Sequence, residues 1–158
     1  DLQSTRADGL LEAVTMDLSD TALEGTAIVI ESQFEPMIVS SRDATTLAVV
    51  LGELVSNAIK HAFNGREGGT IRASFARKSD GTPFLAVEDD GIGFDDSAEA
   101  PQARSGLGSM IIENLSRQYG GEILKRKNEQ GGTSIQILLP RLQIGEVQGA
   151  TEDERGLQ

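Results

Sequence analysis

Ser41-Arg-Asp-Ala-Thr-Thr-Leu-Ala-Val-Val-Leu-Gly-Glu-Leu-Val-Ser-Asn-Ala-Ile-Lys-His-Ala-Phe63 is the stretch on which the reading of this chain turns. Leu47, Val50, Leu51, Leu54 and Ala58 recur at spacings of three and four, which predicts a helix running to about Phe63 with one apolar face and with Ser41 or Asp43 as its cap. Glu53, Asn57, Lys60 and His61 stand at i, i+4, i+7 and i+8 of the same helix. At about 100° per residue they fall within roughly one quadrant of its surface, beside the apolar stripe. By itself such a face is as compatible with a solvated surface as with a site. What sets it apart is its chemistry: the side-chain oxygens suit a hard cation such as Mg²⁺, and the ammonium suits phosphate.

Outward from this helix the chain alternates short elements with turns. Leu10, Leu11, Val14 and Leu18 predict an amphipathic N-terminal helix within residues 1–18. Ala27 to Ile30 and Met37 to Val39 read as two strands or a hairpin around Pro36. Thr70 to Lys78 and Phe84 to Glu88 are strand-like runs joined by Ser79-Asp80-Gly81-Thr82-Pro83, a hairpin-type turn. From Phe94 to Ser105 the chain has little apolar content and glycines on both flanks, the pattern of a functional lid or a disordered loop. Ser109 to Tyr119 is helical in pattern and stops at Gly120-Gly121. Glu122 to Lys127 and Thr133 to Leu139 are the last strands, ended by Pro140. The expected fold class is α+β, a two-layer sandwich of a mixed, mostly antiparallel sheet against helices, with one domain over residues 1–140 and a polar, disordered tail over 141–158.

Composition narrows the functions open to such a domain. Among 158 residues, 14 basic against 25 acidic side chains leave a net charge of −11, which argues against nucleic acid, whose binding needs a basic footprint. No cysteine and a single histidine, His61, exclude disulfides, thiolate metal sites and a histidine-rich zinc site. No run approaches the roughly 18 to 20 apolar residues of a membrane span. We therefore expect a cytoplasmic domain without membrane contact. Asp1 stands where an initiator Met would, which leads us to expect further sequence upstream.

Three more motifs carry chemistry. Asp89-Asp90-Gly91-Ile92-Gly93 follows a strand, where it makes either a tight turn or a carboxylate beside a backbone that a ligand can approach closely. Ser105-Gly106-Leu107-Gly108-Ser109 precedes a helix, as an ordinary cap or as a hinge whose amides receive phosphate. Gly131-Gly132-Thr133 opens the last strand. A Walker-type run is absent, and Asp96 occupies the place of the third glycine in a dinucleotide fingerprint starting at Gly91.

Taken in order, Glu53-x-x-x-Asn57-x-x-Lys60-His61-Ala62-Phe63, Asp89-x-Gly91-x-Gly93, Gly106-Leu107-Gly108 and Gly132-Thr133 before Leu138-Leu139-Pro140 resemble the ATP-binding catalytic domain of bacterial sensor histidine kinases. That superfamily includes gyrase, the heat-shock chaperone and the mismatch-repair ATPase. Lys60-His61-Ala62-Phe63 and Gly120-Gly121 are similar to the HWE and related subgroups; with no Trp, the chain lacks the Trp-x-Glu element of HWE kinases, which points to a neighbouring subgroup.

The resemblance implies a Bergerat-type ATP-binding fold over about Leu10 to Pro140, with ATP and Mg²⁺ as cofactors. It implies Mg²⁺ on Asn57, phosphate on Lys60, and His61 close to the nucleotide. Asp89 would receive the adenine amino group, with Thr133 nearby. Gly91 and Gly93 would open the lid, and Gly106, Leu107 and Gly108 would return it onto the phosphates. Glu53 matches the superfamily's helix carboxylate and is a catalytic candidate alongside Asn57. The implied activity is γ-phosphoryl transfer to a histidine on an upstream dimerisation domain of the same protein, for relay to a response-regulator receiver domain. The full-length protein would be a homodimer. Two alternatives stand beside it: a serine kinase of the anti-sigma-factor type, and a docking module that kept the fold without catalysis.

Overall fold

The computed structural model describes residues 3–22, 24–94 and 107–147. Its framework is the helix α2 (Ser41–His61), which buries Ala44, Leu47, Val50, Leu51, Leu54 and Val55. Each of the buried Leu and Val side chains contributes about 1.5–3 kcal/mol. The cap is Ser40, one residue before the expected Ser41, and its hydroxyl accepts from the Asp43 amide at 3.0 Å. Asp43 in turn accepts a hydrogen bond from the Tyr119 hydroxyl, which ties the end of α3 (Leu107–Tyr119) to the start of α2. Burial, then this hydrogen bond and the carboxylate's charge, hold the Tyr119 phenol well above its usual pKa.

Five strands form the sheet: β2 (Ala27–Phe34), β4 (Gly68–Arg77), β5 (Pro83–Asp89), β6 (Ile123–Lys127) and β7 (Thr133–Leu138), in the order β2-β4-β5-β7-β6. Only β2 and β4 run parallel, and the chain between them carries α2 as the crossover that a parallel pair requires. Every other pairing is antiparallel. Ile71, Ala73 and Phe75 of β4 and Leu85 and Val87 of β5 are buried with the α2 stripe. Across the opposite face run Glu31, Arg72 and Glu88, direct register partners joined by ion pairs of 3.7 and 3.6 Å. The architecture is the expected two-layer α+β sandwich with a mixed sheet.

Three local readings change. The first helix, α1, spans Ala7–Ala22 rather than lying within residues 1–18; it starts late because Ser4–Arg6 forms a strand, β1. Its partner is β3 (Ile38–Ser40), so the runs on either side of Pro36 are not a hairpin: β2 continues to Phe34 and joins the main sheet, while β3 pairs with β1 in a separate ribbon. Finally, the expected disordered tail does not start at Arg141. Leu142 is buried, Gly145 bridges Ile38 through bonds of 2.7 and 3.0 Å, and Arg77 joins Glu35 at 2.6 Å to Glu146 at 2.5 Å. Leu142 and Ile144 supply apolar contacts that the polar composition of the rest of the tail concealed. Residues 148–158 lie outside the described part.

Candidate functional site

The polar quadrant of α2 is laid out as its spacing predicts. Glu53 is half-buried, and Asn57, Lys60 and His61 are exposed. Among the described residues none of these four side chains makes a hydrogen bond or ion pair. Their polar atoms are open to an incoming ligand. Glu53 also borders a groove of about 450 Å³ between α1 and α2, lined by Ala13, Val14, Leu18, Ala48 and Gly52, which flanks the quadrant.

The second motif is joined to the end of α2 by the backbone. Ala62 caps the helix, and its carbonyl accepts from the Ile92 amide at 2.7 Å. Gly91 sits so close beneath it that an added Cβ would lie 2.7 Å from the Ala62 carbonyl carbon and 2.8 Å from the Ala62 Cβ. Glycine is required there for space. Gly93 is required for conformation as well, with φ of +77°. Phe94 follows, with the Lys125 ammonium 4.6 Å from its ring centroid, a cation–π contact between the start of the expected lid and β6.

Asp89 is the last residue of β5 and is 8% exposed, on the face of the sheet turned to the helices. Its Oδ1 accepts from the Gly91 amide at 2.9 Å and the Thr133 amide at 3.2 Å. Oδ2 has no partner among the described residues, and since no buried side-chain polar atom there lacks one, Oδ2 itself is reached by solvent. Oδ2 is therefore the open oxygen, held in direction by the two amides on Oδ1. A carboxylate fixed in this way is built to accept a hydrogen bond from an amino group.

Asp89, Gly91, Gly93 and Thr133 are thus brought together, and α2 is tied to them through Ala62. Gly106 lies outside the described residues, as does residue stretch 95–106 of the expected lid; Leu107 and Gly108 open α3. Sequence reasoning missed three participants. Asp90 receives the Thr70 amide on its carboxylate at 2.8 Å, Arg66 donates to the Asp90 carbonyl at 3.0 Å, and Asn128 donates to the Asp89 carbonyl at 2.7 Å. The signal that could have found Asn128 is the Asn-x-x-Gly-Gly spacing of the β6–β7 turn.

At one strand end of the mixed sheet, a glycine-built turn and an open carboxylate thus stand beside a helix bearing unpaired polar groups. The chain belongs to the family of histidine kinase-, DNA gyrase B-, and HSP90-like ATPases, which it matches over residues 42–143. The histidine kinase domain of the Erythrobacter litoralis EL346 blue-light-activated kinase superposes with a TM-score of 0.74 at 25% identity, covering 85% of this chain and 61% of that one. Blue-light-activated histidine kinase 2 of Erythrobacter litoralis is 28% identical over 114 residues, 72% of this chain and 32% of the relative. The anti-sigma F factor of Geobacillus stearothermophilus is 30% identical over 115 residues, 67% of this chain and 73% of the relative. The chain spans about a third or less of the length of the sensor histidine kinases it matches. No helix among the described residues is long and apolar enough to cross a membrane.

Proposed function

We propose that this chain is the ATP-binding catalytic unit of a sensor histidine kinase, carrying the γ-phosphoryl group of ATP to a histidine on a separate dimerisation domain for relay to a response-regulator receiver domain. The observation that carries the reading is the open Oδ2 of buried Asp89, which suits the amino group of adenine. Thr133 and Gly91 hold the carboxylate, and Gly91 and Gly93 shape the start of the lid. Lys60 meets phosphate, with His61 close to the nucleotide, and Leu107 and Gly108, with Gly106, receive the phosphates at the start of α3. In the transfer, the acceptor imidazole's lone pair forms a nitrogen–phosphorus bond. The γ-phosphorus to bridging-oxygen bond breaks and ADP leaves with that electron pair. Glu53 is the catalytic candidate on α2, a carboxylate of the kind that could accept the imidazole proton. The setting is the cytoplasm, in a homodimeric full-length protein.

Magnesium fits the donors present. Among the described residues no group of three or more His, Cys, Asp or Glu side chains gathers into an all-protein metal cage. Mg²⁺ characteristically takes one or two side-chain oxygens and leaves its other positions to water and substrate phosphates, and the unpaired Asn57 carboxamide oxygen offers one. Bound there, the ion would neutralise charge on the phosphates.

Asp89→Asn tests base recognition with little change to the fold. The amide keeps an oxygen for Gly91 and Thr133 and turns a donor toward the adenine amino group. Leaving such a pair unsatisfied costs about 1–3 kcal/mol, so ATP affinity measured by titration calorimetry falls roughly 10- to 100-fold and the preference for ATP over GTP collapses. Equal ATP and GTP affinities in the wild type would sink the adenine assignment.

The transfer itself is tested with γ-labelled ATP. Alone, the chain is expected to gain no acid-labile, base-stable label, since His61 lies beside the phosphates rather than in line for attack. A helical hairpin bearing an acceptor histidine, added in trans, becomes labelled, at reduced efficiency because tethering is absent. Label on the isolated chain that His61→Ala abolishes would overturn the modular reading. A second reading, serine kinase of the anti-sigma type, is favoured by the 73% of an anti-sigma F factor that the chain covers. It predicts acid-stable label on a partner's serine instead.

A further inference from the structure

We infer that Asn128, in the turn between β6 and β7, is a positioning residue for base selection: it fixes how Asp89 and Thr133 face the adenine ring. This rests on the reading of Asp89 as the base-recognising carboxylate.

The register of β5 with β7 runs as far as Glu88 opposite Ser134. One step on, where Asp89 and Thr133 would continue the ladder, the bonds pass through side chains. The Thr133 amide goes to the Asp89 carboxylate at 3.2 Å, and the Asp89 carbonyl accepts from the Asn128 Nδ2 at 2.7 Å. The same Nδ2 lies 3.4 Å from the Thr133 carbonyl. Its Oδ1 accepts from the Gly132 amide at 2.9 Å and the Gln130 amide at 3.1 Å. One carboxamide therefore joins the end of β5 to both the turn and the first residue of β7.

Close packing makes the clamp short. At Gly132 an added Cβ would run into the Asp89 carbonyl group, 2.8 Å from its carbon, and would also lie 2.8 Å from Oδ1, so only glycine lets the turn press against the end of β5. Asn128 also lines a hollow of about 120 Å³ with Arg72 and Glu88, residues of the sheet face away from the helices. It thus grips the main chain of Asp89 from behind and uses neither carboxylate oxygen. Both amides that orient Oδ1 sit on segments held in this way or at the Ala62 junction.

Without the Nδ2 donors, the Asp89 carbonyl loses its partner and the turn can move off the end of β5. The Thr133 amide then releases Oδ1, and the carboxylate can rotate. A freely turning carboxylate still attracts polar groups but no longer distinguishes the adenine amino group from the guanine carbonyl with the same force.

The test is calorimetric titration of the full chain and its variants with Mg·ATP and Mg·GTP. Asn128→Ala is expected to weaken ATP binding about tenfold and to lower the ATP-to-GTP affinity ratio at least about fivefold. Asn128→Asp keeps an acceptor for the Gly132 and Gln130 amides but sets an oxygen against the Asp89 carbonyl, and lowers the ratio at least as far. It serves should the alanine variant fail to fold. A merely structural role would scale both affinities by the folded fraction and leave the ratio alone. A ratio within twofold of wild type in the folded variants overturns the inference, whatever their melting temperatures. If the wild type prefers ATP and Asp89→Asn abolishes the preference while the Asn128 variants keep it, only the role of Asn128 falls. If the wild type shows no preference, the reading of Asp89 falls and takes this inference with it.

Discussion

Asn57→Ala is expected to lower phosphoryl transfer from Mg·ATP to a separately supplied acceptor domain by about 10²–10³-fold, equivalent to roughly 3–4 kcal/mol of transition-state stabilisation. Its carboxamide is exposed on α2, between Glu53 and Lys60 on the polar quadrant, and has no partner among the described residues. Removing it therefore costs the fold little, within about 0.5 kcal/mol, as for other surface positions. The comparison to make is single-turnover transfer against a thermal melt, at several magnesium concentrations. A variant that transfers at the wild-type rate would remove Asn57 from the metal site, whereas lost transfer with an unchanged melt separates chemistry from stability.

Gly91→Ala produces the largest loss of binding. The added methyl meets backbone on a neighbouring element: 2.7 Å to the Ala62 carbonyl carbon leaves no room for a side chain to yield. Relief requires the turn after β5 to withdraw from the end of α2, which breaks the 2.7 Å bond from the Ile92 amide to the Ala62 carbonyl. Overpacking of this kind costs about 1–3 kcal/mol, and the same displacement moves Asp89 relative to the helix; ATP affinity falls about 100-fold. Gly81→Ala is the control. Its φ of +92° makes alanine strained, with nothing within 4 Å to clash. That variant loses stability by roughly 1–2 kcal/mol, since the strain is in the backbone, and binds ATP as the wild type does. Equal ATP affinities for the Gly91 variant and the wild type would show that the junction with Ala62 does not shape the nucleotide site.

Elements defined by local pattern were legible. The stripe from Leu47 to Ala58 placed α2 because a 3.6-residue period needs only neighbours along one segment to be visible. The Asp89-to-Gly93 turn was legible for a similar reason: a strand followed by acid and glycine is a local signal. Where pairing partners are distant in sequence, the reading stopped short. Nothing in Ile38 to Ser40 says that its partner is Ser4 to Arg6 and not the strand before Pro36, since any short β-branched run satisfies either edge. Leu142 and Ile144 were outweighed by the polar residues around them, although Leu142 joins the core and Ile144 packs against it.

From the sequence alone came the polar quadrant of α2, the acid at the end of β5, the glycines around it and the two-layer class, all consequences of period and residue type. The tertiary structure alone decided that Asp89 has one oxygen held and one open, because its amide donors come from Gly91 and from Thr133, 44 residues away. It alone decided that Gly91 is glycine for want of space beneath Ala62, not for its backbone angle, and that Asn128 stands behind the site. Such facts are distances between segments brought together by packing. Local propensity carries no record of them, because a hydrogen bond or a steric limit exists only once both partners have been placed.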